Sequence, residues 1–386
     1  MSEERPLLER FGLAYFERRA SKLPPVVADD EIHVLNPREL RDLRSIHRWT
    51  VIRAALIGAA SGFIAALAEV LALPLLGDNP QEATFAMQLE FYGWVFGVAG
   101  VATIFEIGFL YWDALRSVHD LARAAGLSLF DDDEDERNEV AAALARAALE
   151  LPNPVTSIFD IDPLKESNKL VLVGVALFYK LKVGVTNFLM KAFIRRAAGR
   201  AAVRTALVWV AVPVTALWNA VVAYLVMREA RIRAMGPSAA RAFAGIVLDG
   251  RELSDDGRLA VMRAVGANIV RTQELHPNLI TFLQEVQRQV GDPPEAPLDD
   301  TREFLAQLRR LPKEEQDVAL MILSVGAVLD GKVNRRERKL IRRALAETGR
   351  DDSTGPLDDL RVMFARGHEI DPTVVEACAP TPQAIP

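Results

Sequence analysis

The chain has 386 residues, half of them hydrophobic and 25% charged, with a formal net charge of −6. This weakly acidic balance gives no general case for nucleic-acid binding, and a single cysteine, Cys378, excludes an intrachain disulfide. A mean hydropathy of +0.11 beside an ordinary charged fraction gathers the apolar excess into segments, which fits membrane segments plus a soluble part. With the segments and the repeated phrase taken below, the expectation is an all-α chain: a polytopic helical membrane domain followed by a soluble helical tandem-repeat domain.

Residues 1–50 read as a cytoplasmic N-terminal amphipathic segment. Leu7, Leu8, Phe11 and Tyr15 share one helical face, and Pro24 and Pro25 end that helix. Acids and arginines interrupt its hydrophobes, so it lacks the apolar region of a signal peptide. Residues 51–112 then read as a transmembrane hairpin. From Val51 to Leu76 the chain is apolar apart from Arg53 and Glu69, and from Phe91 to Trp112 it carries one acid, Glu106, with Phe109, Tyr111 and Trp112 at its end. The link between the runs holds acids and no Lys or Arg, whereas Arg38, Arg41, Arg44, Arg48 and Arg53 crowd the approach. That asymmetry puts both outer ends of the hairpin in the cytoplasm. Gly58 and Gly62, and Gly93 and Gly97, have the spacing of close helix packing.

Residues 113–169 read as a cytoplasmic helical and acidic linker, with the helix continuing past Trp112 on a polar stripe of Asp113, Arg116, Asp120 and Arg123 and ending by Gly126. Residues 170–227 form a second hydrophobic hairpin. Twelve Leu, Val and Phe residues between Leu170 and Leu189 contribute roughly −4 to −7 kcal/mol to insertion, while Lys180 and Lys182 cost roughly 5 to 7, so the sum is near zero. Thr205 to Met227 has no ionisable residue, but Arg195, Arg196, Arg200 and Arg204 precede it, and Arg228, Arg231 and Arg233 follow. These arginines are candidate lipid-headgroup contacts. Two topologies remain: four spans, favoured because Thr205 to Met227 is too uniformly apolar for an interface, or a re-entrant hairpin that keeps every arginine cluster inside. Both leave the two termini cytoplasmic. Glu69, Glu106, Lys180, Lys182, Asn187 and Asn219 are the polar candidates at membrane depth, either structural interhelix pairs or an ion or proton path.

Beyond Pro237 one phrase occurs twice: "VLDGRELSDDGRLAVMRAV" from Val247 and "VLDGKVNRRERKLIRRAL" from Val328, joined by the proline-rich "GDPPEAPLDD" at 291–300. In each copy a helix ends at Asp-Gly, glycine supplying the left-handed turn, and Ser254 or Asn334 caps the next helix, with Glu337 completing a capping box in the second. At these residues the sequence resembles the TerB-like family of small helical domains, associated with tellurite resistance and stress responses in bacteria. The resemblance implies a first repeat over 238–290 and a second over 301–370, ahead of a disordered tail at 371–386. It also implies that acids near the phrase bind a divalent cation, making Asp249, Asp255, Asp330 and Glu337 candidates. Lys332, Arg335, Arg336 and Arg338 around the second set argue against a hard cation and for capping. No other cofactor is expected.

No catalytic motif survives. "GAVLDGKV" at 326–333 has Walker A spacing, but Val333 replaces the Mg²⁺-binding hydroxyl and the preceding run is helical. His33, His47, His119, His276 and His368 show no zinc-ligand spacing and read as scattered surface residues. The expectation is therefore a non-enzymatic, multi-pass bacterial inner-membrane protein that meets lipid and presents its TerB-like module for sensing, scaffolding or binding a protein partner, with a homo-oligomer left open. Its rivals are an ion or proton channel or transporter built on the buried Glu and Lys, and a soluble or peripheral lipid-binding protein.

Overall fold

Periodic apolar stripes set between Ser, Asn, Asp and His caps fold this chain into helices. A computed structural model describes residues 6–24, 32–77, 82–130, 134–153, 161–165, 209–351 and 354–380. Among them the elements are all helical: α1 (Leu7–Ala20), α2 (Pro37–Ala72) with a short 3₁₀ turn (Leu73–Leu76), α3 (Phe85–Ala124), α4 (Glu134–Ala148), α5 (Ala211–Leu248), α6 (Asp255–Thr272), α7 (Pro277–Val290), α8 (Thr301–Leu308), α9 (Lys313–Val328), α10 (Arg335–Glu347), α11 (Gly355–Arg366) and α12 (Pro372–Glu376). They fall into two units. One comprises Arg44–Val118 and Asn168–Arg228, and the other Met1–Leu43, His119–Ser167 and Glu229–Pro386. The helices α2, α3 and α5 each contribute to both.

The smaller unit is built on α2, α3 and the first half of α5. Asn36 starts α2 with a reciprocal cap, its Oδ1 accepting from the Glu39 N–H (3.0 Å) while the Glu39 carboxylate accepts from the Asn36 N–H (2.9 Å). Two helices here, Pro37–Leu76 and Phe85–Ala124, are long and apolar enough to cross a membrane, and the apolar window of the second has no buried residue. A soluble core helix of that composition would be covered. Glycine works at one of the expected places: a Cβ on Gly58 would lie 2.7 Å from the Thr215 carbonyl oxygen, so only glycine lets α2 and α5 approach there. Gly93 and Gly97 meet no neighbour within 4 Å.

The larger unit has a conventional core. Helices α6 and α9 pack on each other and are buried nearly all round, with α7, α8 and α10 against α6. Asn268 on α6 donates to the Leu323 carbonyl of α9 (2.8 Å), and Gly326 leaves it room: a Cβ would sit 2.3 Å from the Asn268 amide nitrogen. The glycine of the Walker-like string is thus a packing residue inside a helix. Gly266 likewise admits the carbonyl of Leu298, so the proline-rich linker lies on α6.

Three expectations are corrected here. Pro237 lies inside α5, one turn after Ile232, whose carbonyl accepts from Asn278 (3.0 Å), so no boundary falls at that proline. The expected disordered tail is folded through residue 380: Asp371 caps α12, accepting from the Thr373 N–H (2.9 Å), and Val375 and Cys378 are buried. Three histidines expected on the surface, His33, His119 and His276, are buried, the first beside Ser238 Oγ at 2.7 Å. Helix α1 buries Glu9, Gly12 and Phe16 and exposes Leu7, Leu8 and Phe11, with Glu9 meeting a partner inside, Arg146 at 3.1 Å.

Candidate functional site

Around the second Asp-Gly phrase of the larger unit several charged side chains gather. Gly331 takes φ +72°, and a Cβ there would strike Ile232 of α5 at 2.8 Å, so the turn is both left-handed and closely packed. Asn278, buried at the start of α7, ties it down by donating to the carbonyls of Leu329 (2.7 Å) and Ile232 (3.0 Å). Gly236 provides the space for that amide. His276, the N-cap of α7, accepts at Nδ1 from the Asn278 N–H (3.3 Å), which leaves Nε2 to face Glu229 Oε1 at 3.1 Å.

Glu229 gathers three basic side chains: Arg233 (3.0 Å), His276 (3.1 Å) and Lys332 (3.8 Å). Burial works against its charge, but the His276 hydrogen bond and the basic groups around it outweigh that and hold the carboxyl well below the usual range. Asp330 behaves oppositely, burial raising it against the pull of His276 and Lys332. Glu337 is fully buried; burial, with the Asp330 carboxyl beside it, pushes it up to about 9. It is therefore protonated at neutral pH. One of its oxygens accepts from the Asn334 N–H (2.6 Å), closing the capping box, and the other has no hydrogen-bond partner.

The first copy is arranged differently. Gly250 has φ +69° with nothing near it, and Asp249 is exposed. Asp255 is exposed and pairs with Arg258 at 2.6 Å. Ser254 caps α6, accepting from the Gly257 N–H (3.1 Å). The carboxylate that completes this cap comes from another helix: Glu315 of α9 accepts from the Ser254 N–H (2.7 Å) and from Ser254 Oγ (2.9 Å). Gly257 stands where Glu337 stands in the second copy, and its missing side chain makes room, since a Cβ would lie 2.7 Å from the Glu315 carboxyl carbon.

Asp330 and Glu337 are thus brought together, while Asp249 and Asp255 stay apart on the surface. Among the described residues no group of three His, Cys, Asp or Glu side chains is arranged to hold a metal ion. A pair of carboxyls, one protonated and with Lys332 close by, does not make the oxygen cage that a hard divalent cation needs.

In the smaller unit Glu106 of α3 meets the Asn219 amide of α5 at 2.5 Å, and Thr215 Oγ1 donates to the Gly58 carbonyl of α2 (2.7 Å). One turn of contacts therefore clasps three helices. Further along, Arg53 of α2 donates to Asp113 (2.8 Å) and Ser117 (3.0 Å) of α3. Glu106 also lines an apolar cleft of about 450 Å³ between α2 and α3, with Ile57, Ser61, Gly97 and Phe105 on its walls. Glu69 is half-buried near the end of α2. Arg228 and Arg231 are half-buried on α5. Arg233, expected at lipid headgroups, is instead buried and held by Glu229 and the Ala143 carbonyl (2.8 Å). Lys180, Lys182, Asn187, Arg195, Arg196, Arg200 and Arg204 lie outside the described residues.

Glu229, His276, Asn278 and Glu315 had no signal in the sequence, because each acts on a segment 46 to 61 residues away. Gly257 was the one available hint, a glycine where the other copy has its capping acid. No protein-family model matches the chain, and no curated protein or solved structure matches it either.

Proposed function

We propose that this chain is a non-enzymatic helical protein of a bacterial inner membrane. The apolar hairpin of α2 and α3, joined by the first half of α5, anchors it, and a TerB-like helical unit is displayed in the cytoplasm for sensing or for binding a protein partner. One observation carries the reading. Large exposed hydrophobics such as Leu56, Phe96, Ile104, Phe105 and Leu217 crowd residues 49–112 and 217–225, with Ile104 at 72% and Phe105 at 74%, while none of the described residues in Glu229–Pro386 belongs to that class. Water does not tolerate such a surface over three helices, and hydrocarbon does. The Glu106–Asn219 and Thr215–Gly58 bonds support a place for α5 beside the hairpin, because polar groups in lipid satisfy one another across helices.

Carbonate washing of membranes, followed by detergent extraction and sizing, tests the reading. Retention in the membrane is expected, and release as a soluble monomer overturns it in favour of a lipid-binding protein. Arg200→Cys addresses the crossing number. Native Cys378 is buried and its thiol pushed up to about 12, so it stays silent toward an impermeant reagent. Labelling in intact spheroplasts supports four spans, and labelling only after lysis supports the re-entrant hairpin.

A second reading rests on Glu106, which faces the open cleft between α2 and α3. If that cleft is part of an ion or proton path, the protein in liposomes passes cations or protons and Glu106→Gln changes the flux. No flux in oriented vesicles sinks it.

A further inference from the structure

The geometry points to α1 as an in-plane membrane helix whose outer face, Leu7, Leu8 and Phe11, sits among anionic lipid headgroups. This rests on the membrane reading above. The polarity of α1 is inverted for a helix in water: Glu9 is 3% exposed, whereas Leu7 is 80% and Phe11 59% exposed. Turning the helix over would bury those three side chains, worth about 1.5–3 kcal/mol each, yet the inner contacts are spent on charge. Glu9 pairs with Arg146 (3.1 Å) and Arg19 with Asp120 (2.7 Å). Phe16 packs on the His119 ring at 5.8 Å, and Arg123 donates to the Pro24 carbonyl (2.8 Å). The outer face is therefore fixed by two ion pairs and a buried aromatic rather than left free to roll inward.

Two features select lipid as the occupant. First, Leu7, Leu8 and Phe11 are the large exposed hydrophobics of the bigger unit among its described residues, so this stripe is its one apolar surface of the kind that hydrocarbon covers. Second, exposed Arg10 and Arg18 fall on or beside the stripe by helical spacing, and Lys22 is exposed just past the end of the helix. Long cationic side chains there reach lipid phosphates while their stems and the leucines lie deeper.

The test uses the full-length protein in nanodiscs of mixed zwitterionic and anionic phospholipid. Phe11→Cys on the outer face and Glu17→Cys on the rim are each labelled with bimane, then read against lipids carrying a shallow nitroxide quencher. Quenching at position 11 is expected to exceed that at position 17 by about 2-fold or more, and to fall when the anionic lipid is omitted. Equal, water-like signals at both positions overturn the inference. A blue-shifted but unquenched label at position 11, with pyrene excimers at the same site, overturns it in favour of a second copy of the chain. A protein stripped by carbonate fails the membrane reading itself, whereas one retained with position 11 unquenched fails only this inference.

Discussion

The two Asp-Gly phrases start from similar words and end in different physics. In the first, the turn is open, Asp249 is in water, and the cap of α6 is completed by Glu315 reaching across from α9. In the second, the turn is wedged against Ile232, the capping acid Glu337 comes from α10 itself, and burial has removed its charge. A repeated sequence thus specifies a repeated backbone, a left-handed glycine and a capped helix, while the neighbours decide whether its acids are solvated, shared or neutral. The carboxylate of a capping box can be moved to another helix without losing the cap, provided a glycine clears the way.

The sharpest break in that comparison is at the glycines. Gly331→Ala meets both a positive φ and Ile232, and we expect a loss of about 3 kcal/mol in urea unfolding, against about 1 kcal/mol for Gly250→Ala, where the strain stands alone. Equal losses would show that the Ile232 contact relaxes freely. Next comes pH. The folded state keeps the Glu337 proton up to about pH 9, while the unfolded chain releases it near the ordinary glutamate value of 4.5. The stability this group contributes is therefore full below that lower value and is lost as pH rises through the folded one, at up to about 1.4 kcal/mol per pH unit. Glu337→Gln keeps an acceptor for the Asn334 N–H and flattens the slope; an unchanged slope between pH 5 and 9 would place the titration elsewhere. Glu229 contributes with the opposite sign, present above the ordinary carboxylate range and lost as pH falls through its depressed value. The smallest effect belongs to the shared cap: Glu315→Ala is expected to cost about 1 kcal/mol and to increase hydrogen exchange at the first turn of α6 while sparing α10.

Legibility followed distance along the chain. Both glycine turns, Ser254 and Asn334 as caps, and the box closed by Glu337 were readable because each is settled within a few residues. The stop of α3 before Gly126, which takes φ +77°, was readable for the same reason. The orientation of α1 was not: its stripe marked Leu7, Leu8 and Phe11 as a face, but whether that face turns inward depends on Arg146 and Asp120, more than a hundred residues on. His276 looked like a lone surface histidine because Glu229, its partner, lies 47 residues earlier. Pro237 read as a border because the composition turns polar beyond it, yet α5 runs through it. Small-residue spacing named the right kind of contact at Gly58 but not its partner, which is α5.

The helices α2, α3 and α5 each change unit in mid-course, at 43/44, 118/119 and 228/229. Proteases and gene fusions separate domains at loops, and at these three borders there is no loop to cut. A fragment beginning near residue 229 would lose α1, α4 and the end of α3, leaving buried Arg233 without the Ala143 carbonyl. Truncation there is therefore expected to yield aggregation rather than a free-standing folded piece.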